Sequence, residues 1–239
     1  IQAAGGAPLT VVYRRSGARH TATLTPTADE NGHYKAGVWV RDSGAGIGTM
    51  SFVDPQRGTF AGLGHSISDA DTGADLTLLS GEIVPVTITG CIRGAAGSPG
   101  ELRGEFAAAP AGTVLANDAA GVYGSYTGSC TAPALPVANL QEVTPGEAEL
   151  WTTVLGTTAQ PYTIQVERVT MTGSDPNRNL LIRVTDKRLL DATGGVVQGM
   201  SGSPIVQNGR LAAVLTHVLV NDPSRGYAIF ATTMLEKAD

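Results

Sequence analysis

Six consecutive residues, Gly199-Met200-Ser201-Gly202-Ser203-Pro204, have the types and spacing of a nucleophile loop. They precede an apolar run, Ile205-Val206-Gln207, an Asn208-Gly209 pair and a second apolar run, Leu211–Leu219. Asn-Gly between two such runs signals a tight β-hairpin. Ser201 is therefore expected in a glycine-flanked loop that feeds a hairpin, as in serine hydrolases of the chymotrypsin type. Gly199 would let its N–H turn inward, so that it and the Ser201 N–H point at one oxygen and form an oxyanion hole. Gly202 would let substrate backbone approach closely. The rival serine motif, the G-x-S-x-G elbow, fails twice: its fifth position is Ser203, and a strand rather than a helix follows.

A serine nucleophile needs a base. His65 ends the apolar, glycine-rich run Phe60-Ala61-Gly62-Leu63-Gly64, which suits a general base held at a strand end. His217 lies within Leu215-Thr216-His217-Val218, sixteen residues after Ser201. It reads either as a core or edge histidine or as the wall of a specificity pocket. His20 and His33 read as solvated. A third group, a buried carboxylate, would fix the imidazole tautomer. Asp69, Asp71 and Asp75 follow His65 closely in a turn-rich loop. Asp118 and Asp186 come later, and Asp186 has an ordinary alternative as a helix first-turn residue. The spacing alone does not choose among them.

Other chemistry finds little support. The Gly-rich stretch Cys91–Glu101 lacks the Lys-Ser/Thr ending of a phosphate loop, and Ser98 within it makes a poor nucleophile. No grouping of His, Cys or carboxylates has metal spacing, so no metal and no cofactor are expected. Cys91 and Cys130 read equally well as one disulfide or as two free thiols.

Helical periodicity is scarce, and short β-rich runs recur. They cover Leu9–Tyr13, Thr21–Leu24, Gly37–Arg41, Thr49–Val53, Ile83–Ile88, Tyr162–Val169, Asn179–Val184, Ser203–Val206, Leu211–Leu219 and Tyr227–Ala231, with Asp-Pro and Asn-Gly turns between them. The pattern predicts a mainly β fold, a sandwich or barrel. Two helices are expected: one over Asp186–Ala192, capped by Thr185 and ended by Gly194-Gly195, and one over Thr232–Lys237. Residues 1–26 read as a strand, a glycine turn and a strand closing on Pro26, resembling the last hairpin of a PDZ domain. Residues 27–36 read as a polar linker, and residues 37–239 as the main domain.

Composition fits this picture. The 239 residues include 31 Gly and 13 Pro, only 15% are charged, and 42% are hydrophobic. Many turns and much buried backbone follow. A net charge of −5 implies no basic surface for nucleic acid. The longest nearly apolar run, Leu211–Val220, is too short to span a bilayer. With no Met at position 1 and no apolar leader, a signal peptide or anchor is expected to be absent or already removed, and Ile1-Gln2-Ala3-Ala4 reads as a cut into a longer precursor.

Four stretches carry a family resemblance: GVWVRDSGAGIGTMSFVDP (37–55), FAGLGHSISDADTG (60–73), GCIRGAAGSPGELRG (90–104) and VTDKRLLDATGGVVQGMSGSPIVQNGRLAAVLTHVLVNDPSRGYAIF (184–230). The chain resembles the SpoIVB peptidases, serine endopeptidases of the sporulation type. The resemblance implies a PDZ domain followed by a chymotrypsin-like double β-barrel. It also implies Ser201 as nucleophile, His65 as base and Asp186 as acid. Implied partners are a protein or peptide substrate, a membrane-associated regulator among them, and the chain itself through self-processing. The implied setting is extracytoplasmic, as part of a signalling step. Two rivals are a PDZ-linked binding module with a latent peptidase fold and a non-peptidase esterase.

Overall fold

The computed structural model describes residues 1–38, 44–69 and 71–238. The chain divides into two compact units, residues 1–45 and 46–239. In the first, β1 (Leu9–Arg15) and β2 (Ala18–Leu24) form an antiparallel hairpin in full register. Ser16 and Gly17 turn it, both with positive φ (52° and 78°), as a two-residue hairpin turn requires. The stretch expected as a plain linker closes on itself: β3 (Thr27–Ala28) pairs with β4 (Tyr34–Lys35). Asp29 organises the turn between them, accepting from the N–H groups of Asn31 and His33 and pairing with Lys35. The strand expected over Gly37–Arg41 falls largely outside the described residues.

The second unit has two lobes. The first lobe is an open five-stranded antiparallel half-barrel in the order β5-β6-β11-β10-β7. Its strands are β5 (Met50–Asp54), β6 (Thr59–Gly62), β7 (Glu82–Ile83), β10 (Gly112–Asp118) and β11 (Gly121–Tyr126). A separate hairpin, β8 (Val86–Ile92) and β9 (Glu101–Phe106), is inserted between β7 and β10. The run expected as one strand over Ile83–Ile88 is thus two, because Pro85 has no N–H for the ladder. The second lobe is a closed six-stranded barrel in the order β12-β13-β14-β17-β16-β15. Its strands are β12 (Gly146–Thr152), β13 (Gln160–Val169), β14 (Leu180–Val184), β15 (Pro204–Gln207), β16 (Arg210–Val218) and β17 (Arg225–Phe230). One closed barrel beside one half-barrel is the chymotrypsin-like double barrel in partly open form. No helix among the described residues is long and apolar enough to cross a membrane.

Period-two burial builds the barrel core. Leu180, Ile182 and Val184 of β14 point inward with Leu150, Ile164, Ala213 and Leu215. β16 is buried on both faces. Val214 and, on β17, Ile229 point the other way, into a second core with Ala61, Ala120, Tyr123 and Met234. These two barrel strands therefore form the wall shared by both lobes. Met234 comes from the closing helix α2 (Ala231–Ala238), close to the expected Thr232–Lys237. The first helix, α1 (Lys187–Thr193), starts one residue later than expected, because Asp186 rather than Thr185 caps it. The Asp186 carboxylate accepts from the Arg188 N–H, whereas the Thr185 hydroxyl donates to the Thr163 carbonyl. Gly194, left-handed at φ 78°, ends the helix as expected. Cys91 and Cys130 are unpaired thiols.

Candidate active site

The nucleophile loop runs from the end of α1 into β15. Gly199 (φ 96°) and Gly202 (φ 98°) both occupy the left-handed region that glycine alone adopts at no cost. The loop is held from both lobes. Within the barrel, the Gly202 N–H donates to the Leu215 carbonyl and the Leu215 N–H to the Ser203 carbonyl. From the first lobe, the Thr49 N–H donates to the Ser201 carbonyl at 2.8 Å and the Thr49 hydroxyl to the Gly199 carbonyl at 3.1 Å. β9 adds a third anchor, through the Leu102 N–H to the Gln198 carbonyl. Among the described residues, neither the Gly199 nor the Ser201 N–H has an acceptor. Two uncommitted backbone donors flanking a serine are the raw material of an oxyanion hole.

His65 follows β6 through Leu63 and Gly64, both left-handed (φ 67° and 70°). Leu63 is a strained position, of a kind that persists where surrounding structure over-determines it. Its N–H donates to the Thr49 carbonyl, so Thr49 ties the approach to His65 and the loop of Ser201 together. Gly64 lies against β16 and β17: a Cβ there would stand 3.0 Å from methyl groups of Thr216 and Ile229.

The ring of His65 meets that of His217, with centroids 4.8 Å apart and planes tilted by 33°. A register shift between Leu215 and His217 in the β16–β17 pairing re-aims this stretch of β16. His217 is half-buried, its Nδ1 is sealed from solvent, and that atom has no hydrogen-bond partner among the described residues. Burial first, then the neighbouring His65 and Arg178, push its pKa down to about 4, against a small opposing effect of Asp175. His217 is thus neutral near pH 7. The Ser201 hydroxyl donates to the carbonyl of the adjacent Thr216 at 2.7 Å. His65 and His217 therefore meet at the wall between the lobes, and the Ser201 hydroxyl bonds to Thr216, the residue before His217.

The His65 Nδ1 lies 2.7 Å from the Ser66 carbonyl oxygen. A carbonyl only accepts, so Nδ1 carries a proton, and in the neutral ring Nε2 then keeps its lone pair. That is the tautomer a general base needs.

Asp186 is elsewhere. Its carboxylate accepts from the Arg188 backbone N–H (2.8 Å), from the Arg188 guanidinium (2.7 Å) and from the Thr163 N–H (3.3 Å). The Arg188 hydrogen bond, ahead of the opposing effect of burial, holds its pKa down to about 2. None of these contacts is to His65. Asp75 accepts from the hydroxyls of Ser66 and Ser68. Asp69 accepts from Thr72 within its own turn. Asp118 accepts from the Ala120 N–H and pairs with Lys237. The structure thus brings His65 against His217 and Ser201 to the neighbouring Thr216, and the hydrogen bonds given above for these carboxylates go to groups other than the imidazole.

This arrangement makes a prediction for Asp186. If it acts only through α1, Asp186→Asn, which caps a helix about as well, should leave kcat/KM within about threefold. Were it the triad acid, the same change would cost about 10⁴ in kcat by analogy with other serine peptidases. Steady-state kinetics on a cleaved peptide separates the two outcomes.

The family model described as SpoIVB peptidase S55 matches residues 32–235. No curated protein matches the chain. Among solved structures it is similar to the Rv3671c protease of M. tuberculosis. The active form shares 17% identity over 84% of this chain and 94% of that one, with a TM-score of 0.39. The inactive form shares 16% identity over 59% of this chain and 72% of that one, also with a TM-score of 0.39. Since the family model spans the half-barrel, the closed barrel and both His65 and Ser201, this chain belongs to the SpoIVB peptidase S55 family and is a serine peptidase.

Proposed function

We propose that the chain is a serine endopeptidase in which Ser201 is the nucleophile and His65 the general base. The observation that carries this reading is the Ser201 loop, stitched by Thr49 to the approach of a histidine whose Nδ1 is already committed to a carbonyl. The chemistry follows from the geometry. The Ser201 hydroxyl turns from Thr216 to the His65 Nε2, gives up its proton and attacks the peptide carbonyl. The N–H groups of Gly199 and Ser201 receive the oxyanion, each contributing about 3–4 kcal/mol by analogy with other hydrolases. His65 then protonates the leaving amine, and water repeats the sequence on the acyl-enzyme.

The substrate is proposed to be a protein, cut in a regulatory step outside the cytoplasm. A membrane-associated regulator and the chain itself are the targets that the family resemblance suggests. The β1–β2 hairpin supports docking by strand addition, since among the described residues its two strands pair only with each other. Its reading as the end of a PDZ domain belongs to this proposal.

One observation favours a second reading, a latent peptidase. The Ser201 hydroxyl is bonded to the Thr216 carbonyl, which must be given up before attack. Fluorophosphonate labelling with peptide mapping tests both readings. Labelling at Ser201, lost in Ser201→Ala and in His65→Ala, establishes an assembled nucleophile and base. A folded protein that does not label is latent.

His217 adds a pH dependence. Its folded pKa of about 4 lies below the ordinary 6.5, so it contributes stability above pH 6.5. As pH falls from 6.5 toward 4, the unfolded chain takes up a proton that the folded chain refuses, and stability declines. Urea midpoints should fall across that window. His217→Phe, which keeps an aromatic ring against His65, should flatten this part of the profile.

A further inference from the structure

We infer that Asn117 is the positioning residue of the catalytic histidine, acting through the Ser66–Ile67 peptide in the place where a triad carboxylate would act directly. The inference rests on the peptidase reading above and deepens it.

The argument starts from one planar unit. The Ser66 carbonyl and the Ile67 N–H belong to the same trans peptide and point in opposite directions. On one side the carbonyl oxygen accepts from the His65 Nδ1 at 2.7 Å. On the other the Ile67 N–H donates to Asn117 Oδ1 at 2.7 Å. Fixing the N–H therefore fixes the direction of the carbonyl, and with it the imidazole. The two hydrogen bonds also polarise one another through the amide, as chained hydrogen bonds do.

Asn117 does more than accept. Its Nδ2 donates to the Ile67 carbonyl and to the Leu76 carbonyl, both at 3.0 Å. Residues 67 and 76 are the two feet of the loop after His65, themselves joined by the Leu76 N–H to the Ile67 carbonyl. One side chain thus clamps both feet. The pattern of one acceptor and two donors dictates the residue type. An aspartate supplies the acceptor but places charge against two carbonyl oxygens, and a leucine or alanine supplies nothing. Asp75 reinforces the same peptide from the loop side by accepting from the Ser66 hydroxyl.

The backbone accounts for the reach. Asn117 lies near the end of β10, opposite Val122 of β11, and Val122 in turn pairs with Gly62 of β6. The ladder therefore carries Asn117 to the end of the sheet where β6 delivers His65. The hydrogen bonds of the Asn117 side chain go to Ile67 and Leu76, so its effect is read on His65.

The test is histidine ¹⁵N NMR at pH 8 together with kinetics on the same samples. In the wild type, His65 is expected as the Nδ1–H tautomer. In Asn117→Ala it should become a mixture containing the Nε2–H form, with kcat down about 10- to 100-fold and KM within about twofold. Asn117→Ala that keeps both the wild-type tautomer and the wild-type kcat overturns the proposal. If that variant does not fold, the wild type alone decides, since a predominantly Nε2–H His65 there overturns it equally. The tautomer readout needs no substrate. A tautomer that depends on Asn117 in a protein that cleaves nothing would uphold this inference while sinking the peptidase reading.

Discussion

Ser201→Ala is expected to remove peptide hydrolysis, by roughly a million-fold in kcat, while leaving the protein folded. The two halves of that expectation have separate causes. The rate is lost because neither of the two other serines in the glycine-rich stretches takes over: Ser203 is fully buried, and Ser98 lies in the connection between β8 and β9. The fold survives because Ser201 contributes little to it. Its hydroxyl makes one hydrogen bond, to the Thr216 carbonyl, worth about 1 kcal/mol. The loop is held by the backbone bonds of Gly202, Leu215 and Thr49, and alanine keeps them all. Circular dichroism and thermal unfolding alongside the kinetics would separate loss of the nucleophile from loss of structure.

Gly202→Ala, one residue away, is expected to do the opposite and take structure and activity together. The φ of 98° is already unfavourable for a residue with a side chain. A Cβ at Gly202 would overlap the Thr49 carbonyl oxygen and stand 2.7 Å from the Leu63 nitrogen. Both are backbone atoms, so neither rotates away. Relief requires pushing Thr49 off the Ser201 loop, which separates the loop from the approach to His65. We expect a loss of about 3 kcal/mol or more in stability and loss of fluorophosphonate labelling even in the fraction that stays folded. Chemical denaturation and labelling of the same preparation measure both. A variant with wild-type stability and labelling would show that the lobes are not held at this point.

The same residues show how far the sequence carried. Ser201 and His65 were legible because each is announced by glycines at positions where the chain must turn sharply, next to strongly apolar runs. The strands Glu101–Phe106, Gly112–Asp118, Gly121–Tyr126 and Gly146–Thr152 were not. They hold Gly, Asn, Asp and Glu in numbers that β-propensity disfavours, and the ladder to a neighbour decides their state. His217 was placed on its strand with a core and a pocket role both open. The register shift beside it, which aims its ring at His65, has no local signature. Asp186 carried two readings from the start, and the structure shows its carboxylate capping α1. Asn117 has no signal of its own in the sequence, because an asparagine just before a tight turn is ordinary turn chemistry. Its role depends on a loop that begins fifty residues earlier, and a single sequence cannot show that contact.

The wall formed by β16 and β17 has a thermodynamic consequence. Val214 and Ile229 supply the half-barrel with part of its own interior, while their neighbours Leu215 and Ala228 fill the closed barrel. The half-barrel therefore has no interior that it could keep after separation from the closed barrel, whose own core is far larger. Opening the wall costs the half-barrel its order while the closed barrel can stand. His65, carried by the half-barrel, is held in place only while this wall stays closed, whereas the loop of Ser201 belongs to the lobe that outlasts it.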